Sequence, residues 1–425
     1  MLEISTVRDN LQNAVEGLTK RGIQNAKELL EEVLSLDQQR RGSQTKLDGL
    51  LAEANSKAKQ VGRLIKEGQM DLANEYKSET SNLKARAKEL QQEVAELNEK
   101  QQQALYNIPN IPRLQVPAGL TAEDNQLVKE WGERPELSDD AKPHWDLIKE
   151  YDIVDFELGN KVTGAGFPFY KGYGAKLVRA LVNFCMDQAE SAGYIEILPP
   201  IVVNETSGLS TGQLPDKEGQ MYGIVDSVNY LIPTAEVPIT NIYRDVILDP
   251  ADLPVKHVGY SPCFRREAGS WGADVRGLNR LHQFDKVEIV QISHPDDSYQ
   301  TLDQMCLHVA GLLEQLKLPY RILNLCGGDL GFTSAQTFDF EVYSAGQDKW
   351  LEVSSVSNFE TYQANRLKLR ARGEDKRNFL LHTLNGSALA IPRILAAIIE
   401  NNQTTEGITV PEVLIPYTGF GIIPK

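Results

Sequence analysis

The chain has 425 residues, of which 41% are hydrophobic and 24% are charged, and its formal net charge is −15 at pH 7. This length is too great for one ordinary domain and predicts two or three. The acidic balance argues against broad nonspecific binding of nucleic acids, although it leaves room for a local basic patch.

Signals for targeting and for local metal sites are missing from the sequence. No apolar run approaches the roughly 20 residues that a membrane helix needs, and the opening MLEISTVRDN lacks a signal-peptide pattern. The four cysteines form no C-x-x-C pair, and the six histidines form no H-E-x-x-H motif. We therefore expect a cytoplasmic protein without a membrane partner, a disulfide framework or zinc.

A long N-terminal segment, from about residue 28 to residue 106, consists of strong helix formers. Its apolar residues follow a heptad frame in two runs, with polar interruptions at Arg40, Ser43 and Lys57. The runs are Val33, Leu36, Leu47, Leu50, Ala54, Val61 and Leu64, and then Leu72, Tyr76, Leu83, Ala87, Leu90, Val94 and Leu97. Between them, Gly68 is suited to end one helix and Asp71 to cap the next. The pattern predicts an arm of two antiparallel coiled-coil helices, each roughly 55 Å long.

The distal half of this arm is basic within an acidic chain. Its eight basic residues are Lys57, Lys59, Arg63, Lys66, Lys77, Lys84, Arg86 and Lys88, against Glu67, Asp71, Glu75 and Glu79. An ordinary solvated helix face with i,i+4 ion pairs explains such charges. A surface that binds nucleic-acid phosphates explains them as well.

A proline-rich stretch, NIPNIPRLQVPAG, ends the helical pattern and predicts a hinge. After it, helices alternate with the short β-like runs YIEILPPIVV, HVGYSPCF, FDKVEIVQI, FDFEVY and WLEVSS. These runs indicate an α+β domain with a mainly antiparallel sheet. The predicted organisation is an N-terminal domain at 1–108 with the arm at 28–106, the hinge at 109–120 and a mixed domain at 121–425.

Arginines are concentrated in residues 263–288, between two strand-like runs. They are Arg265, Arg266, Arg276 and Arg280. Strand alternation places Arg265 with Glu267 on one face, and Phe284 with Lys286 and Glu288 on one face of the returning strand. Such a wall offers a guanidinium for phosphate, an aromatic plate for a base and a carboxylate for an amine. An Arg–Glu ladder on a sheet surface is the plainer alternative.

A second candidate anion site is the segment NGSALAIPRILAAIIENNQ. We interpret its first residues as a turn, namely Asn385, Gly386 and Ser387. Pro392 suits the first turn of a helix whose buried face would comprise Ile394, Leu395, Ile398 and Ile399. Arg393 would then lie at the helix N-terminus, where backbone N–H groups already favour an anion.

Three segments together resemble the signature motifs of class II aminoacyl-tRNA synthetases. Arg265-x-Glu267 with its loop and answering strand resembles motif 2, and the Arg393 segment resembles motif 3. The helix at 173–194, followed by Pro200, resembles the dimer-forming motif 1. One departure is ALAIPR where GLAVGR is the commoner form of motif 3, so that Ala388 and Pro392 replace glycines.

Within that class, the chain resembles the bacterial-type seryl-tRNA synthetases over essentially its whole length. The motifs that carry this are TAEVP at 234–238, FRREAGS…RGLNRLHQFDKVE, EVSSVSN at 352–358 and LNGS before motif 3, together with the N-terminal arm. The resemblance implies activation of L-serine by ATP to seryl-adenylate, and transfer of serine to the 3′ end of tRNA(Ser). It leaves open whether a selenocysteine tRNA is a second acceptor.

The resemblance also assigns site residues. Arg265 and Arg393 would be catalytic, the first on the α-phosphate and the serine carboxylate and the second on the γ-phosphate. The ATP site would comprise Arg265, Arg266, Glu267, Phe284, Glu352, Val353, Ser354, Ser355 and Arg393, with Mg²⁺ at Glu352 and Ser355. The serine site would comprise Thr234, Ala235, Glu236, Arg265, Glu288, Asn385 and Ser387. Which of these residues contacts the hydroxyl of serine, and which its amine, stays open.

The partners that the resemblance implies are a second copy of the chain in a homodimer, and tRNA bound by the arm and the catalytic cleft. Arg276 and Arg280 would meet pyrophosphate or the tRNA end. An enzyme that charges a carrier protein is one alternative, but a carrier needs no long arm. A coiled-coil adaptor with an inactive domain is another, but both Arg265 and Arg393 are present.

Overall fold

The computed structural model describes residues 1–138, 140–267 and 276–425, which form two compact units. A helical unit comprises Leu2–Thr19 and Ile23–Pro109. The other unit comprises Met1, Lys20–Gly22 and Asn110–Lys425, and it contains the sheets. No helix among the described residues is long and apolar enough to cross a membrane.

The helices of the first unit are α1 Ile4–Asp9, α2 Leu11–Lys20, α3 Ala26–Lys66 and α4 Met70–Tyr106. Those of the second are α5 His144–Glu150, α6 Phe156–Val162, α7 Gly172–Ser191, α8 Glu205–Thr211, α9 Glu236–Asn241, α10 Ser298–Gln315, α11 Thr361–Leu367, α12 Ile391–Asn401 and α13 Ile415–Thr418. The strands are β1 Gln126–Trp131, β2 Val154–Asp155, β3 Phe169–Tyr170, β4 Ile195–Glu196, β5 Val202–Asn204, β6 Tyr222–Gly223, β7 Asn229–Leu231, β8 Ile247–Leu248, β9 Val255–Phe264, β10 Gln283–Ser293, β11 Tyr320–Asn324, β12 Gln336–Ser344, β13 Lys349–Asn358, β14 Arg370–Arg372, β15 Asn378–Leu380, β16 His382–Ala390, β17 Gly407–Thr409 and β18 Ile422–Pro424.

Helices α3 and α4 form the predicted coiled-coil arm. They pack antiparallel, because the Ser43 hydroxyl donates to the Glu93 carboxylate at 2.7 Å while Lys57, further along α3, pairs with Glu79, earlier in α4. At about 1.5 Å per residue, the two helices are roughly 60 and 55 Å long. Leu47 and Val94 are among the buried residues of the seam. The fold-class prediction of an antiparallel two-helix arm is confirmed.

Two details of the arm prediction are wrong. Leu72 is exposed, and Ala73 is buried in its place, because Ala73 lies seven residues before the buried Thr80 and so keeps the heptad frame. Asp71 does not cap α4, since the N-cap residue is Gln69 and Asp71 lies within the first turn. There its negative charge still interacts favourably with the helix dipole. Gly68 has φ +76° just after α3, as a helix-ending glycine should.

The second unit is built on an eight-stranded sheet within the described ranges, in the order β1-β11-β12-β13-β16-β10-β9-β4. All of its strand pairs are antiparallel except β4 with β9. Helices α7, α10 and α12 pack on one face, where Leu181, Val287 and Ile394 belong to one apolar core. The α+β class is therefore confirmed, and the opposite face of the sheet is left for a site.

The turn predicted at residues 385–387 is wrong. These residues lie inside β16, a central strand that pairs with β10 on one side and β13 on the other. Gly386 stands opposite both Ile289 and Val356, and a Cβ added there would lie 3.2 Å from Val356 Cγ2. The glycine therefore allows close packing across the sheet rather than a change of chain direction. The predicted helix start is confirmed, since Pro392 and Arg393 lie in the first turn of α12.

Candidate active site

Strands β10, β13 and β16, together with the residues that follow β9, line a cavity of about 490 Å³ on the open face of the sheet. The predicted site residues that line it are Thr234, Glu236, Arg265, Glu267, Phe284, Glu288, Glu352, Val353, Ser354, Ser355, Asn385, Ser387 and Arg393. Ala235 instead packs in a buried cluster with Ile239 and Val290. The Arg266 side chain is exposed outside the lining, and its backbone N–H donates to the Gln220 carbonyl at 2.9 Å.

The alternation of side chains along β10 places three residues on one wall of the cavity. Phe284, Lys286 and Glu288 alternate along β10 with Val287 and Ile289, which are buried on the other face. The backbone N–H of Arg265 continues the pairing beyond β9 by donating to the His282 carbonyl at 2.9 Å. Of the long loop predicted between the two strands, residues 268–275 lie outside the described residues. Arg280, at its end, lines the cavity and pairs with Glu267.

A β-bulge brings Glu352 and Ser355 to the same face. Residues three apart in a regular strand point to opposite faces. In β13, however, Val353 is an extra residue, because Glu352 stands opposite Glu341, and Ser354 opposite Phe340. The extra residue shifts the alternation by one. Ser355 Oγ therefore lies 3.4 Å from Glu352 Oε1.

Glu352 and Ser355 fit a magnesium ion in the chemistry of their donors. A carboxylate and a hydroxyl are the oxygen ligands that this hard cation prefers. The half-buried Asp339 stands opposite Ser355, and desolvation followed by the Glu352 charge raises the pKa of Asp339 well above its ordinary range. The described residues contain no group of three His, Cys, Asp or Glu side chains that could hold a metal. A cation at this place would therefore need further oxygens from a bound ligand.

Two guanidinium groups enter the cavity from different elements. Arg265 lies with its Cζ 5.3 Å from the Phe284 ring centroid, and it forms no ion pair among the described residues. Arg393 donates from Nε to the Asn279 carbonyl at 3.0 Å and from Nη1 to the Glu352 carbonyl at 2.6 Å. The backbone therefore fixes the Arg393 fork, whereas the charge of Arg265 is available to an anion.

The deep end of the cavity holds two buried carboxylates and one lysine. Lys286 Nζ lies 2.5 Å from Glu288 Oε2, and Asn385 Nδ2 donates to Glu288 Oε1 at 2.9 Å. Gln363 Nε2 donates to Glu236 Oε1 at 2.6 Å. Burial, and then the negative charge of Glu288, raises the pKa of Glu236 to about 7, although the Gln363 hydrogen bond opposes this. The excess of negative charge suits a ligand that carries an ammonium group.

The raised pKa of Glu236 predicts that its ionised form lowers the free energy of unfolding. The folded-state pKa of about 7 exceeds the ordinary 4.5. The loss of stability therefore begins as the pH rises above 4.5 and reaches its full size above pH 7. Glu236→Gln should therefore stabilise the fold at pH 8, by about 3 kcal/mol, and should change little near pH 4.5. Thermal unfolding midpoints at the two pH values measure this, with the exposed Glu374→Gln as the control. A less stable Glu236→Gln protein at pH 8 would contradict it.

Two polar side chains that contact the buried carboxylates, Lys286 and Gln363, were not among the predicted site residues. Lys286 was predicted on the face of Phe284 and Glu288, and that alternation alone was sufficient to include it. Gln363 lies in α11, far along the chain from the Glu236 that it binds. No local pattern marks such a contact.

The predicted tRNA-binding residues of the arm are distributed along both helices. Lys57 pairs with Glu79 and Glu53, and Arg63 with Glu67 at 2.6 Å. The others are exposed and form no ion pair in the part of the chain that the structure describes: Lys59, Lys66, Lys77, Lys84, Arg86 and Lys88. The solvated-pair explanation therefore accounts for two of the predicted residues only.

The chain is similar to known proteins in both its sequence and its fold. Residues 1–112 match the family described as Seryl-tRNA synthetase N-terminal domain. Residues 225–402 match the tRNA synthetase class II core domain (G, H, P, S and T). The serine–tRNA ligase of Salinibacter ruber is 48% identical over 100% of this chain and 99% of its own length.

Solved structures agree with these matches. The seryl-tRNA synthetase of Pyrococcus horikoshii, complexed with ATP, is 34% identical with a TM-score of 0.93, over 100% of both chains. The cytoplasmic serine–tRNA ligase of Naegleria fowleri, in complex with AMP, is 27% identical with a TM-score of 0.88, over 100% of this chain and 99% of that one. The chain therefore belongs to the seryl-tRNA synthetase family, the class II aminoacyl-tRNA synthetases that are serine–tRNA ligases.

Proposed function

We propose that the cavity forms seryl-adenylate from L-serine and ATP, and that serine then passes to the 3′-terminal ribose of tRNA(Ser). The observation that carries this is the pairing, in one cavity, of two guanidinium groups with a buried carboxylate pair. Cationic groups at one end suit phosphates, and the acidic end suits the amine of serine. The ATP complex of the Pyrococcus horikoshii relative and the AMP complex of the Naegleria fowleri relative support ATP as the substrate.

Arg265 and Arg393 bind different phosphates of ATP during adenylate formation. An oxygen of the serine carboxylate forms a bond to the α-phosphorus while the bond to the β-phosphate oxygen breaks and pyrophosphate leaves. Arg265 brings the two anions together and stabilises the charge on the α-phosphate, and Arg393 holds the γ-phosphate. Mg²⁺ held by Glu352 and Ser355 would supply further positive charge to the phosphates.

The base and the amino acid occupy different parts of the cavity in this proposal. Phe284 stacks on the adenine while its other face meets Arg265, and Glu267 lies at the adenine edge. The serine site comprises Thr234, Glu236, Glu288, Asn385 and Ser387. A pocket whose polar groups pair with the serine hydroxyl leaves them unpaired when alanine binds, which rejects alanine by on the order of 10⁴-fold.

Glu288 is the residue on which serine activation should depend most in that pocket. Glu288→Gln removes the charge that pairs with Lys286 and leaves the lysine buried without its partner. Serine-dependent adenylate formation should fall by on the order of 10²–10³-fold, because the serine amine loses a buried carboxylate partner, and removing one side of such a charge pair weakens binding by about 2–5 kcal/mol. Pyrophosphate exchange measures this. Glu341→Gln, on the same sheet face in β12, is the matched control. A fully active Glu288→Gln enzyme would remove Glu288 from the site.

The remaining assignments extend the proposal beyond the cavity. The arm binds the tRNA backbone through its exposed basic residues, and the cleft receives the 3′ end. The chain acts as a cytoplasmic homodimer, and its parts are an N-terminal domain at 1–108, a hinge at 109–120 and a catalytic domain at 121–425. A selenocysteine tRNA is a second acceptor, because serine transfer needs the same 3′ ribose.

Charging of tRNA transcripts with labelled serine tests the transfer step. Serine should appear on the 3′ end of a tRNA(Ser) transcript and, if the extension holds, of a selenocysteine tRNA transcript. Label on the first transcript alone would remove the extension and keep the proposal. Labelled serine that stays on AMP in the presence of tRNA(Ser) would contradict transfer.

A further inference from the structure

A buried His144–Glu400 pair lies next to the cavity, and the proposed chemistry does not use it. Both side chains are fully buried. His144 Nδ1 lies 2.7 Å from Glu400 Oε1, and the backbone N–H of His144 donates to the same oxygen at 2.7 Å. Ser344 Oγ donates to Glu400 Oε2, and Gln347 Nε2 to Oε1 at 3.0 Å. These donors satisfy both carboxylate oxygens of Glu400 without a lysine or arginine.

The second ring nitrogen of His144 holds a stretch of backbone that lines the cavity. The Leu278 N–H donates to His144 Nε2 at 2.8 Å, so Nε2 must be unprotonated. The proton of the neutral ring is then on Nδ1, where it is donated to Glu400. Gly277, with φ +67°, passes so close to Nε2 that an added Cβ would collide with it. The ring therefore fixes both the direction and the position of the backbone at residues 277–278.

The held backbone is the one that orients Arg393. The Asn279 carbonyl, one residue after Leu278, accepts from Arg393 Nε at 3.0 Å. Asn279 Nδ2 donates to Gln347 Oε1 at 2.9 Å, which ties this residue to Glu400 by a second route. Arg393 and Glu400 lie seven residues apart on α12, two turns along one helix face. Helix α12 therefore carries both Arg393 and Glu400, and Glu400 holds the ring of His144 next to the backbone whose Asn279 carbonyl orients Arg393.

We propose that His144 is a positioning residue for adenylate formation. Held by Glu400, it fixes the backbone at Leu278 and Asn279, and through the Asn279 carbonyl it fixes the guanidinium of Arg393. It lines no part of the cavity and acts on the γ-phosphate only through Arg393. The inference rests on the proposed role of Arg393 and adds a residue that no contact with substrate would reveal.

The variants His144→Asn and His144→Gln distinguish the two hydrogen bonds of the imidazole ring, one to Glu400 and one from Leu278. Asparagine places a donor near the position of Nδ1 but offers no acceptor to Leu278, whereas glutamine offers an acceptor near the position of Nε2. His144→Asn should slow pre-steady-state adenylate formation by between about 10- and 100-fold and raise the KM for ATP, because a displacement near 1 Å costs this much. The KM for serine should stay unchanged. His144→Gln should recover part of the rate.

The second reaction step distinguishes positioning from damage to the fold. The γ-phosphate has left as part of pyrophosphate before serine moves to tRNA, so single-turnover transfer from preformed adenylate should be unchanged in His144→Asn. His382→Asn is the matched control, because His382 is another buried histidine, 2.7 Å from Ser298 Oγ, outside this network. It should slow neither step. Equal slowing of both steps in His144→Asn, or an equal loss in His382→Asn, would reduce His144 to a structural role and overturn the inference.

Arg393→Gln separates a failure of this inference from a failure of the proposed function. If Arg393→Gln slows adenylate formation and His144→Asn does not, the inference alone is wrong. If Arg393→Gln leaves adenylate formation unchanged, the proposed role of Arg393 falls and the inference falls with it. Slowing of the same step in both variants, with transfer intact, supports both.

Discussion

A chain that lacks the distal arm, residues 44–92, should lose tRNA charging and keep serine-dependent adenylate formation. Ser43 and Glu93 already touch across the seam through a 2.7 Å hydrogen bond, so a short Gly–Ser turn can join α3 to α4 there. The deletion removes every predicted tRNA-binding residue. The cavity lies wholly in the other unit and keeps its lining. Charging of tRNA(Ser) and pyrophosphate exchange, measured on the same preparation, test the two halves of this expectation.

A series of substitutions tests whether the positive charge of the arm is what binds tRNA. Glutamine in place of the exposed basic residues should raise the KM for tRNA by on the order of 10²-fold. It should also reduce the dependence of that KM on salt, because binding through fewer phosphate contacts releases fewer counterions from the tRNA. The substituted residues are Lys59, Lys66, Lys77, Lys84, Arg86 and Lys88. The control is Lys46→Gln with Lys100→Gln, on the same two helices nearer their other ends. Normal charging by the arm-deleted chain would show that tRNA binds elsewhere.

Arg265→Gln should abolish most adenylate formation without unfolding the protein. A fixed cation at the charge that develops in the transition state contributes on the order of 10²–10³-fold, and Arg265 also aligns the two reacting anions. Among the described residues Arg265 forms no ion pair, so its removal leaves no buried carboxylate unpaired. The thermal midpoint should therefore change little. Single-turnover formation of labelled adenylate measures the loss.

Two further variants show whether the planar fork matters as well as the charge. Arg265→Lys keeps the charge but cannot bind two oxygens at once or stack on Phe284, so we expect an intermediate rate. Arg372→Gln, an exposed arginine in β14, should behave as the unchanged protein. An Arg265→Gln enzyme with unchanged adenylate formation would show that phosphate binding lies elsewhere in the cavity.

Periodicity explains which features the sequence could predict. The arm follows from a heptad pattern over some seventy residues, where one out-of-frame position such as Leu72 changes little. The wall of Phe284, Lys286 and Glu288 follows from simple alternation along one strand. Arg393 was placed at a helix start because proline suits a first turn. Each of these features depends on neighbours along the chain.

The features that the sequence did not predict depend on neighbours across the sheet. Residues 385–387 have the composition of a turn, but Gly386 is required by Ile289 and Val356 on the flanking strands. Glu352 and Ser355 share a face only because Val353 bulges against β12. The residues that orient Glu236 and Arg393, such as Gln363 and His144, come from distant segments. Local pattern carries no information on such contacts.

Exchange of labelled pyrophosphate into ATP without tRNA, with each of the common amino acids in turn, shows directly whether the cavity activates serine. We expect exchange with serine and with no other amino acid, because the acidic end of the cavity recognises the amine while its polar groups pair with the hydroxyl. Exchange with alanine or glycine instead of serine would point to a carrier-charging enzyme on the same fold. Absence of exchange with every amino acid would show that the cavity activates no amino acid at all.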